Sequence, residues 1–361
     1  MKTILVTGAG GSASHNFIES LRLSKDKFRI IGTDINRYHI ELSDVDRRYL
    51  IPECHDPRYL ETLNRLIKRE GIQFVHPQPD SETMELAKLR HEIKAKTFLP
   101  TYATLETCQD KMRTHDILEK NDVPVPESYV FDDAESMYQS ISRLLDEHPK
   151  VWMRARKGAG SRAALPVTNF KQAHSWLQYW ETTKDLGFDS FMVSEFLPGT
   201  DFAFTSVWKE GKLVTSAARQ RIMYLYGFLS PSGTSSTPSV AKSVHDKSVN
   251  SICTRAVKAI DPNANGIFCV DLKCNSEGTP CVTEVNSGRF FTTSNFFTHA
   301  GSNMPLIYVK LGLGEQVKGV PQYDAVPENL YWVRMVDMGY KLLKEDEFKS
   351  KRLLGKPEEA H

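Results

Sequence analysis

The first hundred residues alternate short apolar runs with helix-like segments. That alternation limits them to a parallel sheet covered on both faces. KTILVT (2–7) reads as a strand, GAGGSA (8–13) as a tight turn, and Phe17, Ile18 and Leu21 as one face of a helix. FRIIGTD (28–34) is a second strand. DPRYLETLNRLIKREG (56–71) is a helix that starts at an Asp and stops at Gly71. IQFVHP (72–77) is a third strand, 81–93 is a further helix, and the region ends near residue 103. GAGGSA with Asp34 at the end of the second strand has the spacing of a dinucleotide-binding turn, with pyrophosphate on the helix N-terminus and Asp34 on a ribose. Glycines that merely permit a tight strand-to-helix turn would leave the same string.

A helix over 105–120 leads into NDVPVPES (121–128), a proline-punctuated hinge. Mixed helices and strands follow, and from Asp201 strands dominate, with a hairpin turning at Glu210-Gly211. The organisation expected is therefore 1–103, 104–192 and 193–340, then a charged helix or tail over 341–361. The chain holds 46 Lys and Arg against 45 Asp and Glu, which argues against a nucleic-acid partner. Two uncharged stretches, 222–241 and 290–309, are broken by Ser, Thr, Gly, Pro or Asn and do not read as membrane spans. The chain opens on a strand rather than a signal-peptide layout, and its 6 cysteines form no disulfide scaffold. The expectation is a cytoplasmic protein with reduced thiols.

The most informative segment is GIFCVDLKCNSEGTPCVTEVNSGRF (266–290). Its two strands flank a turn at Ser276–Thr279. Pairing Asn275 with Pro280 sets Asp271 opposite Glu284, and Asn286 then points from the same face. Opposed carboxylates destabilise a hairpin unless a cation lies between them, and an all-oxygen set suits Mg²⁺. Phe268, Val270, Leu272, Thr283 and Val285 fall on the opposite, buried face. The same register sets Cys274 against Cys281, and Cys269, Cys274 and Cys281 lack the paired Cys-x-x-Cys unit of a zinc site. Upstream, RKGAGSR (156–162) after Arg154 could lay backbone N–H groups over phosphates, or could be an ordinary turn.

In this order, from residue 2 to about residue 315, these segments resemble the ATP-grasp superfamily, in particular its carbamoyl-phosphate-synthetase-like branch of ligases. The resemblance implies an α/β (α+β ATP-grasp) protein. A Rossmann-like pre-ATP-grasp domain that binds no NAD would precede a two-lobed ATP-grasp domain. QDKMRTHDILEKNDVPVPES (109–128) is similar to the family's Asp-Lys helix and Val-Pro hinge, which makes Lys111 a phosphate ligand. VWMRARKGAGSR is similar to the phosphate-binding strand and mobile loop, with Arg154, Gly158, Gly160 and Ser161 at the nucleotide. VSEFLPGTDF (193–202) is similar to the segment behind the adenine, with Glu195, Phe196 and Leu197 at the base and Asp201 on the ribose. Asp271, Glu284 and Asn286 match the magnesium triad, with intervals of thirteen and two residues. Three departures stand out. Ala155 replaces the usual Pro, Ala163 and Ala164 replace a late Gly, and Asn286-Ser287-Gly288-Arg289 is one residue longer than the usual Asn-Pro-Arg.

The resemblance implies ATP- and Mg²⁺- (or Mn²⁺-) dependent conversion of a carboxylate into an acyl phosphate for attack by an amine, giving ADP and phosphate. Arg289 would steady the transferred phosphoryl group. Arg219 and Arg221 are candidates for the substrate carboxylate or the triphosphate, or are surface arginines. YGFLSPSGTSSTPS (226–239) is a substrate loop or an exposed connection, and FFTTSNFFTHAG (290–301) lines an acceptor pocket or packs in the core. Small-molecule acid and amine substrates are the expected partners, and a homodimer is admitted. The competing readings are a carboxyphosphate or carbamate kinase, a non-catalytic ATP-binding scaffold, and an NAD-dependent oxidoreductase.

Overall fold

The computed structural model describes residues 1–158, 163–235 and 237–347. Lys2–Thr7, Phe28–Asp34, Arg47–Leu50 and Phe74–His76 make a parallel sheet with Lys2–Thr7 inside and Arg47–Leu50 at the edge. Its central strands are apolar throughout because both faces are covered. Ile4, Val6 and Ile30 meet Phe17, Ile18 and Leu21 of helix Ser12–Arg22. Leu5, Ile31 and Val75 meet Tyr59, Leu63 and Ile67 of helix Tyr59–Glu70. The edge strand, RRYL, is too polar to announce itself by pattern.

The glycine turn is filled by the protein itself. The Gly10 N–H donates to Asp34 Oδ2 at 3.0 Å and the Asn36 N–H to Asp34 Oδ1 at 2.8 Å, so this carboxylate is spent on backbone rather than on a ribose. A Cβ on Gly10 would lie 2.4 Å from the His39 carbonyl carbon, and one on Gly8 would lie 2.4 Å from Pro79. Close packing accounts for these glycines.

A small lobe follows, its sheet ordered Ser128–Val130, Phe191–Glu195, Val151–Ala155, Leu165–Val167. Helices Ala134–Glu147 and Phe170–Lys184 cover it, each begun by a side-chain cap, Asp133 and Asn169. The helix expected over 105–120 is two helices, Tyr102–Gln109 and Lys111–Glu119. The chain turns extended at Asp110, whose carboxylate caps the second helix at the Arg113 N–H.

The large sheet has seven antiparallel strands: Pro280–Ser287, Gly266–Cys274, Asp201–Lys209, Lys212–Tyr224, Pro238–Val244, Leu330–Met335 and Gly339–Lys344. Glu210 and Gly211, both at positive φ, make the hairpin turn expected of them. Helix Lys247–Ile260 covers one face over Phe204, Trp208, Phe268 and Val270. On the other face, Phe296, Tyr308 and Trp332 share one core with Phe17 and Phe74 of the N-terminal region, so the two sheets are packed as one body. The charged C-terminal segment is not a helix or tail from 341: Gly339–Lys344 is the edge strand of this sheet, paired with Leu330–Met335, and residues 348–361 lie outside the described residues. No helix among the described residues is long and apolar enough to cross a membrane.

One buried carboxylate ties the N-terminal sheet edge together. Glu70 accepts from the Tyr49 hydroxyl at 2.5 Å, from Arg47 at 3.1 Å and from Arg29. The Tyr49 hydrogen bond, then Arg29 and Arg47, outweigh burial and hold its carboxyl down from 4.5 to about 2. A depressed folded-state value stabilises above the unfolded value and is lost as pH falls toward 2. Glu70→Gln is therefore expected to lower the melting temperature at pH 7. It should also flatten the loss of stability between about pH 4.5 and 2, as followed by circular dichroism melts across that range.

Candidate active site

Asp271 pairs directly with Glu284 across strands Gly266–Cys274 and Pro280–Ser287, as expected, but the path to that pairing differs. Cys274 pairs with Pro280 and Lys273 with Cys281, one residue out of the expected register, so Cys274 and Cys281 are not opposed. The turn is tighter than assumed: Asn275 Oδ1 accepts from the Glu277 and Thr279 N–H groups, and Gly278 takes φ +83°. A bulge between Asp271 and Leu272 absorbs the slip. The residue it takes in is Thr283, which leaves the buried face assigned to it and turns into a cavity. Its carbonyl accepts from Arg154 Nη2 at 2.8 Å and its hydroxyl donates to the Asp271 carbonyl at 3.1 Å. Phe268, Val270, Leu272 and Val285 remain in the core behind.

That cavity, of about 480 Å³, brings together Arg154, Glu195, Phe196, Leu197, Asp201, Arg221, Asp271, Glu284, Asn286 and Arg289. These residues come from six strands and two loops of both lobes. Lys111 and Gly158 sit at a smaller adjoining cleft with Glu284 and Asn286. Lys111 Nζ donates to the Gly158 carbonyl at 2.6 Å and lies 4.0 Å from Glu284 Oε2. Gly160 and Ser161 lie outside the described residues. The extra residue before Arg289 is accommodated by Gly288, at φ +82° and with no room for a Cβ beside Thr83. Arg289 Nη2 then reaches Asn286 Oδ1 at 3.1 Å.

Charge is arranged in matched layers. Arg221 donates to Asp201 Oδ1 at 2.9 Å and to Asp271 Oδ1 at 2.5 Å, and the Tyr224 hydroxyl donates to Asp201. Burial pushes the Asp271 carboxyl up to about 6 against the pull of Arg221, with Glu284 and Asp201 adding to the rise. Burial acts on Glu284 too, but Lys111 and Arg154 outweigh it and hold this carboxyl below its ordinary value. Burial lowers the Lys111 ammonium, which Glu284 partly restores. Two opposed carboxylates and an amide oxygen, already attended by cations, make a hard-oxygen set that fits Mg²⁺ or Mn²⁺. Arg219 is buried and lies beside Phe291 and Phe297 rather than in the cavity wall.

Pattern reading missed several lining residues. Trp152 is two residues from Arg154 on a strand of alternating burial, so period two could have found it. With Pro126, Phe196, Leu197 and Leu272 it gives the cavity an apolar slot. Ser232, Thr234 and Ser235 of the polar loop line the opposite wall. Of the four phenylalanines after Arg289, Phe290, Phe296 and Phe297 are core, and Phe291 lines the cavity with Thr292. Asp80, at the start of helix Asp80–Lys88, is the most consequential omission. Both its oxygens accept from Arg289, one from Nε and the other at 3.2 Å from Nη2. No local pattern marks a residue whose partner is 209 positions away. Asp80→Asn is expected to lower turnover about tenfold by loosening Arg289 while leaving nucleotide affinity unchanged, as read by steady-state kinetics beside nucleotide titration.

A model of the ATP-grasp domain matches residues 108–293, more than half of the chain. The chain belongs to the ATP-grasp family. A PylC-like N-terminal domain matches residues 4–99, the parallel-sheet region. This ATP-grasp protein is also similar in structure to an L-amino acid ligase from Bacillus licheniformis, at 14% identity and a TM-score of 0.68 over 92% of this chain and 79% of that one. It is similar to N5-carboxyaminoimidazole ribonucleotide synthetase from Thermotoga maritima, at 18% identity and a TM-score of 0.62 over 92% and 80%. A biotin carboxylase from Campylobacter jejuni gives 13% identity and a TM-score of 0.68 over 92% and 74%. At such identities these likenesses establish the fold. No curated protein matches the chain. Family membership gives this chain the ATP-grasp domain, the fold it shares with those ligases.

Proposed function

We propose that the chain joins a small-molecule carboxylic acid to an amine through an acyl phosphate. A carboxylate oxygen attacks the γ-phosphorus of ATP and the bond to ADP breaks. The amine nitrogen then attacks the acyl carbon, phosphate leaves with the bonding electrons, and the nitrogen gives up a proton. The observation that carries this reading is one cavity holding an apolar slot at Trp152 and Phe196–Leu197, an opposed carboxylate pair, and arginines on either side of that pair.

In this reading the adenine lies in the slot beside Glu195, and Asp201 takes the ribose hydroxyls in place of the Tyr224 hydroxyl. Lys111, Arg154 and the Gly158 backbone meet the phosphates, where buried cations act with little solvent screening. Asp271, Glu284 and Asn286 would hold Mg²⁺ or Mn²⁺, which when bound supplies charge neutralisation on phosphate oxygens. Arg221 and Arg289 gather the acid and the transferred phosphoryl group, with Asp80 fixing the Arg289 fork. The reading places the enzyme in the cytoplasm, where six buried free thiols stay reduced.

The test is product analysis with ATP, Mg²⁺ and panels of acids and amines. ADP and phosphate are expected only in the presence of an accepted acid. AMP and pyrophosphate would overturn the acyl-phosphate route, and nucleotide binding without turnover across the panel would favour a scaffold.

A further inference from the structure

Arg219 is 1% exposed, and its Nε and Nη1 have no hydrogen-bond partner. It makes no ion pair among the described residues, because Arg221 holds Asp271 and Asp201. Its charged neighbours are two more cations, Arg221 and Arg334, and Asp271, which favours its charge from a distance but is itself held by Arg221. Arg334 spends its donors on the carbonyls of Pro238 at 3.0 Å and Thr292 at 2.7 Å. Aromatic faces at 5.0 Å (Phe291) and 5.6 Å (Phe297) offset only part of the cost of burying such a charge. A guanidinium kept dry, with two cations nearby and no carboxylate in contact, lacks a directly bonded anion.

Register says where that anion would come from. Arg219 pairs with Ala203, and Ala203 pairs with Asp271, so the three occupy one row on one face of the large sheet. Two strand spacings, about 10 Å, separate Asp271 from Arg219, with Ala203 on the strand between them. Arg219 lies on the far side of Asp271 from Glu284, and hence away from Lys111 and Arg154. It is thus badly placed for the triphosphate and well placed for the far end of the acid. Phe291 lines the cavity and rests on the Arg219 guanidinium, so this ring stands between the cavity and the arginine.

We propose that Arg219, with Arg334 beside it, seats a second anionic group on the acid substrate, so that this enzyme activates diacids. The reacting carboxylate lies at the Asp271 end of the row and the second carboxylate or phosphate at Arg219. The inference rests on the ligase reading above, and its test separates the two.

ADP release is measured with glutarate, L-glutamate and 3-phosphoglycerate against their one-anion counterparts butyrate, L-glutamine and glycerate. The first two diacids report a carboxylate seat and the third a phosphate seat. KM is expected to be at least about tenfold lower for one diacid class than for its counterpart. Arg219→Met should erase that preference without changing KM for ATP, and Arg219→Lys should restore part of it. The Met variant should melt no lower than the wild type, since it removes an unpaired buried charge. Equal KM values for diacids and counterparts, or a raised KM for ATP in Arg219→Met, would overturn the proposal. If no acid releases ADP, the ligase reading fails, and thermal shift with a non-hydrolysable ATP analogue decides the subsite alone. Stabilisation of the wild type by a diacid but not by its counterpart, lost in Arg219→Met, supports it. No such difference refutes it.

Discussion

Glu284→Gln is expected to lower kcat about 10²–10³-fold with the fold intact. This carboxylate is where the two cations of the phosphate side converge, Lys111 at 4.0 Å and Arg154 through its place over Thr283. They keep it charged in spite of burial. Glutamine has the same shape, and Val282 and Val285 on the other face stay in their core. What is lost is one of two negative charges facing the metal position, together with the countercharge of two buried cations. A small drop in melting temperature should therefore accompany the large drop in turnover. Single-turnover ADP release and circular dichroism on the same samples check both parts. Full activity at limiting Mg²⁺ would remove Glu284 from the site.

Asp271→Asn is expected to cost about 10²-fold in turnover and to change its pH dependence. With its carboxyl pushed up to about 6, Asp271 exchanges its proton near neutral pH. Cation binding needs the charged form, so protonation competes with it. The Mg²⁺ concentration for half-maximal wild-type activity should therefore rise as pH falls through about 6. The asparagine variant has no proton to displace and should lack this dependence between pH 5.5 and 7.5. Mg²⁺ titrations of ADP release at those two values separate the outcomes. An equal rise in the variant would assign the titration to another group.

The elements that recurred in order along the chain were legible because local chemistry specifies them. Apolar alternation marks KTILVT and FRIIGTD as buried parallel strands, and Glu210-Gly211 marks a hairpin because both residues must take positive φ. Asp271, Glu284 and Asn286 could be set on one face because strand side chains alternate with period two. Even there, the bulge at Thr283 depended on how the Asn275–Thr279 turn closes, and it alone brought that residue to Arg154.

Contacts between distant segments were beyond any local pattern. Asp80 meets Arg289 only because helix Asp80–Lys88 of the N-terminal region lies against the strand-end loop of the large sheet. The charged Gly339–Lys344 segment became a strand because Leu330–Met335 offered it an open edge. Arg219 could be read as a surface residue until the sheet buried it. Residue types and spacings along the chain determined the ATP-grasp family and set Asp271 opposite Glu284, since backbone geometry ties those to sequence. Only tertiary packing decided which cations are paired, which carboxylate is held charged, and which arginine is left without an anion, because burial and distance set electrostatic energy and neither is a property of the chain in one dimension.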